Sequence, residues 1–135
     1  MRREEIVQAV TKRMETITSN VFEWRSSSLF DEELPAIIIR DGESSAEYQV
    51  PHRAIHTLNL SIDLVVSQKE ETLFQLRKMM NDVVGVFKSD DPSFPPLESD
   101  RFFKSSSIRT DQQEKFVAGA LMEFEIKYLT NADQL

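Results

Sequence analysis

Between residues 54 and 66 the chain alternates with a period of two: Ala54, His56, Leu58, Leu60, Ile62, Leu64 and Val66 interleave with Ile55, Thr57, Asn59, Ser61 and Asp63. Such alternation predicts a strand with one face in a core and the other facing water. A second long alternation, Phe116, Ala118, Ala120, Met122, Phe124, Ile126 and Tyr128, predicts a strand over residues 115–129 that pairs with the first. Two other stretches carry the helical period instead. Ile6, Val7, Val10, Met14 and Ile17 form one stripe of a helix over residues 3–17, opposite Glu4, Lys12 and Glu15. Leu73, Leu76, Met80, Val83, Val84 and Phe87 form the stripe of a second helix over residues 70–87.

Shorter signals complete the order. Residues 21–25 alternate, with Phe22 and Trp24 on one side, as a short strand does. Pro35 lacks an amide hydrogen and suits a strand entry, and the run Ile37, Ile38, Ile39 predicts a strand over residues 36–40 covered on both faces. Asp41-Gly42 reads as the turn that ends it, with residues 43–53 as a polar link. The proline-rich stretch 89–100 reads as an irregular connection and residues 101–109 as a further strand. The order α-β-β-β-α-β-β predicts an α+β domain, with two helices on one face of a mixed, largely antiparallel sheet of four to five strands. Residues 1–129 form a single domain and 130–135 a frayed tail. A strand of about 13 residues spans roughly 43 Å, more than the 35–40 Å or so of a compact chain this long, so the strand over 54–66 should bend, bulge or protrude.

Composition narrows the chemistry. At 135 residues the chain can bury a sizeable core, and without cysteine it has neither disulfides nor thiolate metal sites. No segment reaches the apolar length of a membrane span, so a soluble chain is expected. Sixteen basic against 23 acidic residues give a formal net charge of −7, which disfavours a phosphate-gripping surface. The three glycines are dispersed, so no phosphate loop or dinucleotide fingerprint can be written.

Candidate sites are few. His52 and His56 stand four apart, but on a strand that is about 13 Å, too far for one ion. They are expected to be one exposed and one partly buried histidine. Asp31, Glu33, Asp41 and Glu43 are the weak candidates for a hard-cation site, and paired carboxylates could also do acid–base work. Their polar loop setting favours simple solvation instead, as does the scatter of Lys12, Arg13, Arg25, Arg40 and Arg53. No nucleophile motif accompanies the serines. Phe94, Phe102 and Phe103, beside Pro92, Pro95 and Pro96, read either as an exposed patch for a protein partner or as loop aromatics that cap the core. No cofactor and no enzymatic activity are expected.

The segment Phe30-Asp31-Glu32-Glu33-Leu34-Pro35-Ala36 running into the isoleucine strand, the acidic link with Ala46-Glu47-Tyr48, and the long strands 54–66 and 116–128 resemble the tail terminator family of long-tailed phages, the minor tail protein U group typified by lambda. The chain departs from that pattern in a longer serine-rich loop before Phe30 and in its NADQL end. The resemblance implies a virion tail protein, assembled in the host cytoplasm. It implies a ring, usually a hexamer, on the end of the tail tube that stops polymerisation and offers a face to the head–tail connector. Partners are then other copies of itself, tail-tube protein and connector protein, with DNA passing through unbound and no membrane. Phe30, Asp31, Glu32, Glu33, Glu47, Tyr48, Phe94, Phe102 and Phe103 are the interface candidates. A related tail-completion or neck protein, and more distantly a metal-dependent hydrolase, are the alternatives.

Overall fold

The structure, a computed structural model, describes residues 2–25, 29–50, 53–67, 72–88, 100–111 and 117–131. Helix α1 is Arg2–Met14 and α2 is Thr72–Lys88. The strands are β1 (Val21–Glu23), β2 (Ala36–Val50), β3 (Arg53–Ser67), β4 (Asp100–Asp111) and β5 (Val117–Asn131), with a 3-10 turn at Asp31–Glu33. They form one five-stranded sheet in the order β1-β2-β3-β5-β4. β1 runs parallel to β2 and all other pairs are antiparallel. Both helices pack on one face, so the α+β architecture and element order agree with the sequence pattern.

The two alternating stretches are direct neighbours at the centre of the sheet. β3 and β5 pair without interruption from Arg53↔Asn131 to Ser67↔Val117. That register sets Leu58, Leu60, Ile62 and Leu64 opposite Ile126, Phe124, Met122 and Ala120, so both apolar rows face the same way. Onto this surface α1 lays Ile6, Val10 and Met14, and α2 lays Leu76, Met79, Val83 and Phe87. Phe87 and Phe124 meet with ring centres 4.1 Å apart, and Phe103 of β4 extends the contact at 5.5 Å. Ile37, Ile38 and Ile39 are all buried, as a strand covered on both faces requires.

Four local expectations change. α1 ends at Met14 rather than Ile17, because Ile17 N–H bonds the Met14 carbonyl and the Thr16 hydroxyl bonds that of Arg13, tightening the last turn. On α2, Leu73 lies outside the buried stripe; Thr72 takes the place above Leu76, its hydroxyl donating to the Ser67 carbonyl at 3.2 Å. Asp41-Gly42 is not a turn. β2 continues to Val50, and the register shift between Asp41 and Ser44 marks a β-bulge inside a longer hairpin with β3. At the other end, β5 extends to Asn131, two residues into the segment expected to fray, with Thr130 buried. The proline-rich connection and residues 132–135 lie outside the described residues.

Two of the basic residues read as solvation, Arg13 and Arg40, hold separate elements together. Arg13 is buried and its Nη1 donates to the Val86 carbonyl in the last turn of α2, where free carbonyls and the helix dipole favour a cation. Arg40 reaches both the Arg25 carbonyl and Asp63. Asp63 itself, on the face of β3 expected to be wet, is only 6 % exposed. Its principal partner is Arg109 of β4, whose Nη2 lies 3.0 and 2.9 Å from the two carboxylate oxygens. To get there the Arg109 side chain crosses the intervening strand at Gly119, where an added Cβ would sit 3.7 Å from its guanidinium and 3.0 Å from the Leu64 carbonyl oxygen.

The second of those distances involves backbone, so something must shift if a methyl is introduced. Gly119→Ala should therefore destabilise the protein by about 1–2 kcal/mol, measured by urea unfolding. Asp63→Ala would strip the arginine of its buried partner and should lower stability by a similar or larger amount.

Candidate functional site

The two margins of the sheet are its most distinctive surfaces. β1 pairs with only Ile37, Ile38 and Ile39, so residues 41–50 of β2 have β3 on one side and no described strand on the other. At the opposite margin β4 is the outer strand over its full twelve residues. Unpaired backbone donors and acceptors in such rows can accept another strand.

The reason β1 is so short is visible at Trp24. Its φ of 53° is left-handed, a conformation a bulky residue rarely adopts, and it turns the chain away from β2 just after Glu23. Trp24 N–H still bonds the Ile39 carbonyl at 2.9 Å, and the indole Nε1 donates to Asp41 Oδ1 at 2.7 Å. Asp41 is also met by Arg3 from the start of α1. Arg3 Nε donates to Asp41 Oδ2 at 2.8 Å, Nη2 to the Gly42 carbonyl at 2.9 Å and Nη1 to Ser44 Oγ at 3.1 Å. A single guanidinium thus fastens the bulge where the open part of β2 begins, a fork-like geometry that lysine could not reproduce. Burial alone would raise the Asp41 pKa. The hydrogen bonds from Trp24 and Arg3, with the arginine charge, outweigh it and hold the carboxyl below the ordinary aspartate value.

Among the described residues, Asp41 and Glu33, two of the acids considered for a metal site, have separate partners. Asp41 belongs to the Arg3–Trp24 cluster, and Glu33 makes a two-pronged ion pair with Arg25 while its Oε1 accepts from the Phe30 N–H at 2.9 Å. Asp31 begins the 3-10 turn, and Glu43 is exposed in the bulge. Among the described residues no group of three or more metal-ligating side chains converges. His52 lies outside the described residues, whereas His56 is 4 % exposed rather than partly buried and stacks on Tyr128 with ring centres 5.1 Å apart.

The interface candidates separate into three places. Phe30 and Glu32 are exposed around the 3-10 turn. Glu47 and Tyr48 are exposed on the open part of β2, Tyr48 to 67 %. Phe102 and Phe103 are exposed on β4 at the other margin, so they are strand residues and not loop aromatics. Phe94 lies outside the described residues. Beside β4, a groove of about 250 Å³ opens between that strand and α2, lined by Met80, Val84, Phe103, Ile108 and Met122 with Arg77 at its rim. Arg3, Trp24, Asp63 and Arg109 carry no sequence signal for these roles, because each works through partners many residues away. Among the described residues no helix is long and apolar enough to cross a membrane.

Trp24 is the sole tryptophan, so its fluorescence reports on Asp41. The folded-state pKa is depressed, so the stabilisation from Asp41 is fully present above the ordinary aspartate value and is lost as pH falls through the lower folded value. A change in tryptophan emission and in unfolding free energy is expected within that acid window, and Asp41→Asn should abolish the emission step while lowering stability by about 1 kcal/mol at neutral pH.

No protein-family model matches the chain, and no curated protein matches it.

Proposed function

We propose that this chain is a non-enzymatic structural subunit of a phage tail, a terminator that closes a ring of identical copies on the end of the tail tube, stops tube growth and presents a surface for the head connector. The observation that carries the reading is the pair of unlike sheet margins that no further described strand covers. A ring is built from heterologous contacts, in which one surface of a subunit meets a different surface of the next. β2 and β4 supply two different surfaces on opposite sides of one sheet. The resemblance of the segment Phe30 to Ala36 and of the following strand to the terminator family adds the tail as the place of assembly. The surplus of acidic residues suits a ring through which DNA slides, since nucleic acid is held chiefly by clustered cations.

The decisive experiment mixes the purified protein with polymerising tail-tube protein from the phage or prophage that encodes it. Tubes of limited length with a ring at one end, seen by negative-stain microscopy, are the expected outcome. Tubes that elongate at the same rate and carry no terminal ring would refute the reading.

A further inference from the structure

We propose that copies of this chain join by direct strand pairing, the outer margin of β4 in one subunit adding to residues 41–50 of β2 in the next, so that one sheet runs on across the subunit boundary. The inference supplies the self-contact that the ring reading needs and rests on that reading for its biological setting.

Charge is the first support. Between its end residues Asp100 and Asp111, β4 reads RFFKSSSIRT, with three cations and no acid; Arg109 is taken up by Asp63, while Lys104 in the middle of the strand is exposed. From Asp41 to Val50 the sequence DGESSAEYQV contains three acids and no cation; Asp41 is held by Arg3 and Trp24, while Glu43 and Glu47 are exposed. Lys104 and Glu47 are both exposed, and Lys104 stands at the one register shift of the β4–β5 pair. A lysine on a bulged edge normally guards against unwanted strand addition. Here it guards against β4 meeting another β4, and it is matched by the acids of β2.

The apolar surfaces supply an independent support. Register with β3 places Ala46 and Tyr48 on the helix-bearing face of β2, opposite His56 and Ala54. Register with β5 places Phe103 and Ile108 on that same face of β4, opposite Phe124 and Ala120. A sheet continued from β4 into the neighbour's β2 keeps this face common to both. The exposed Tyr48 of one copy then comes beside the half-exposed Phe103 and Ile108 of the other, at the mouth of the groove under α2. Direction follows from topology. β2 and β4 run opposite ways within one subunit, so when successive copies are related by rotation about a ring axis the new pair is antiparallel. The ten residues of open β2 and the twelve of β4 are also similar in length.

Charge exchange between the margins tests the pairing. Lys104→Glu on one chain and Glu43→Lys with Glu47→Lys on another alter exposed side chains, and although the first also breaks the Lys104–Glu125 ion pair, both variants should stay folded and melt close to the parent protein. Each alone should self-associate at least about tenfold more weakly in sedimentation velocity at low salt. An equimolar mixture, and a single chain carrying all three changes, should recover association, because opposite charges again face each other. Since the chain has no cysteine, Ser45→Cys and Ser107→Cys on one chain should give a ladder of oligomers with a short bismaleimide, whereas either alone should not. Dimers from Ser107→Cys alone would mean that β4 pairs with β4, overturning the inference, and so would weakening without recovery in the mixture. Rings that persist unchanged in every charge variant overturn the strand pairing but leave the ring reading standing. A parent protein that stays monomeric, both alone and with tail-tube protein, removes both.

Discussion

Everything else in the fold hangs on the uninterrupted pairing of β3 with β5. Fifteen consecutive residue pairs bring two apolar rows onto one face, and the apolar stripes of both helices are buried with them in one core. A slip of one residue would turn one of the two rows toward water, so the hydrophobic pattern fixes the register as firmly as the hydrogen bonds do. β2 and β4 then add on either side, each completing one flank of the layer under α1 and α2.

The strands are longer than the helices that cover them. A 17-residue helix is about 26 Å long, while a 15-residue strand reaches about 50 Å. Each helix therefore spans only part of a strand's length, and polar contacts between distant parts of the chain serve the bulge of β2 and the face of the sheet away from the helices. Arg3 clamps the bulge of β2, Trp24 diverts β1 away from it, and Arg109 lies across Gly119 to neutralise Asp63. Each uses a special backbone position, a bulge, a left-handed residue or a glycine, where ordinary strand geometry would have blocked the contact.

Strong periodicity made most of this architecture legible from residues alone. Helices, long strands, their pairing and the element order all follow from apolar spacing, because spacing records which face is buried. The same reasoning misread residues 41–50. Apart from the half-buried Asp41, their side chains are exposed wherever they are described, so no alternation marks them, and Asp-Gly at a bulge looks the same in sequence as Asp-Gly at a turn. Asp63 fell to the opposite error: an acid on the polar side of an alternating strand reads as solvated, yet Arg109, 46 residues later, buries it. Tyr48, Glu47, Phe102 and Phe103 could be chosen as exposed, but only the sheet order reveals that they occupy two margins rather than one patch.

The order of the strands in space also has a consequence in time. β3 lies mid-chain and β5 follows it by about 50 residues of sequence, with α2 and β4 between, although the two are neighbours at the centre. During synthesis the β2–β3 hairpin emerges first and must hold the row Leu58, Leu60, Ile62, Leu64 with half its cover missing. Closing so long a loop is slow relative to forming a local hairpin. The nascent chain therefore passes through an interval in which its stickiest surface is bare, and in a crowded cell that interval, more than the finished protein, is when it most needs a chaperone.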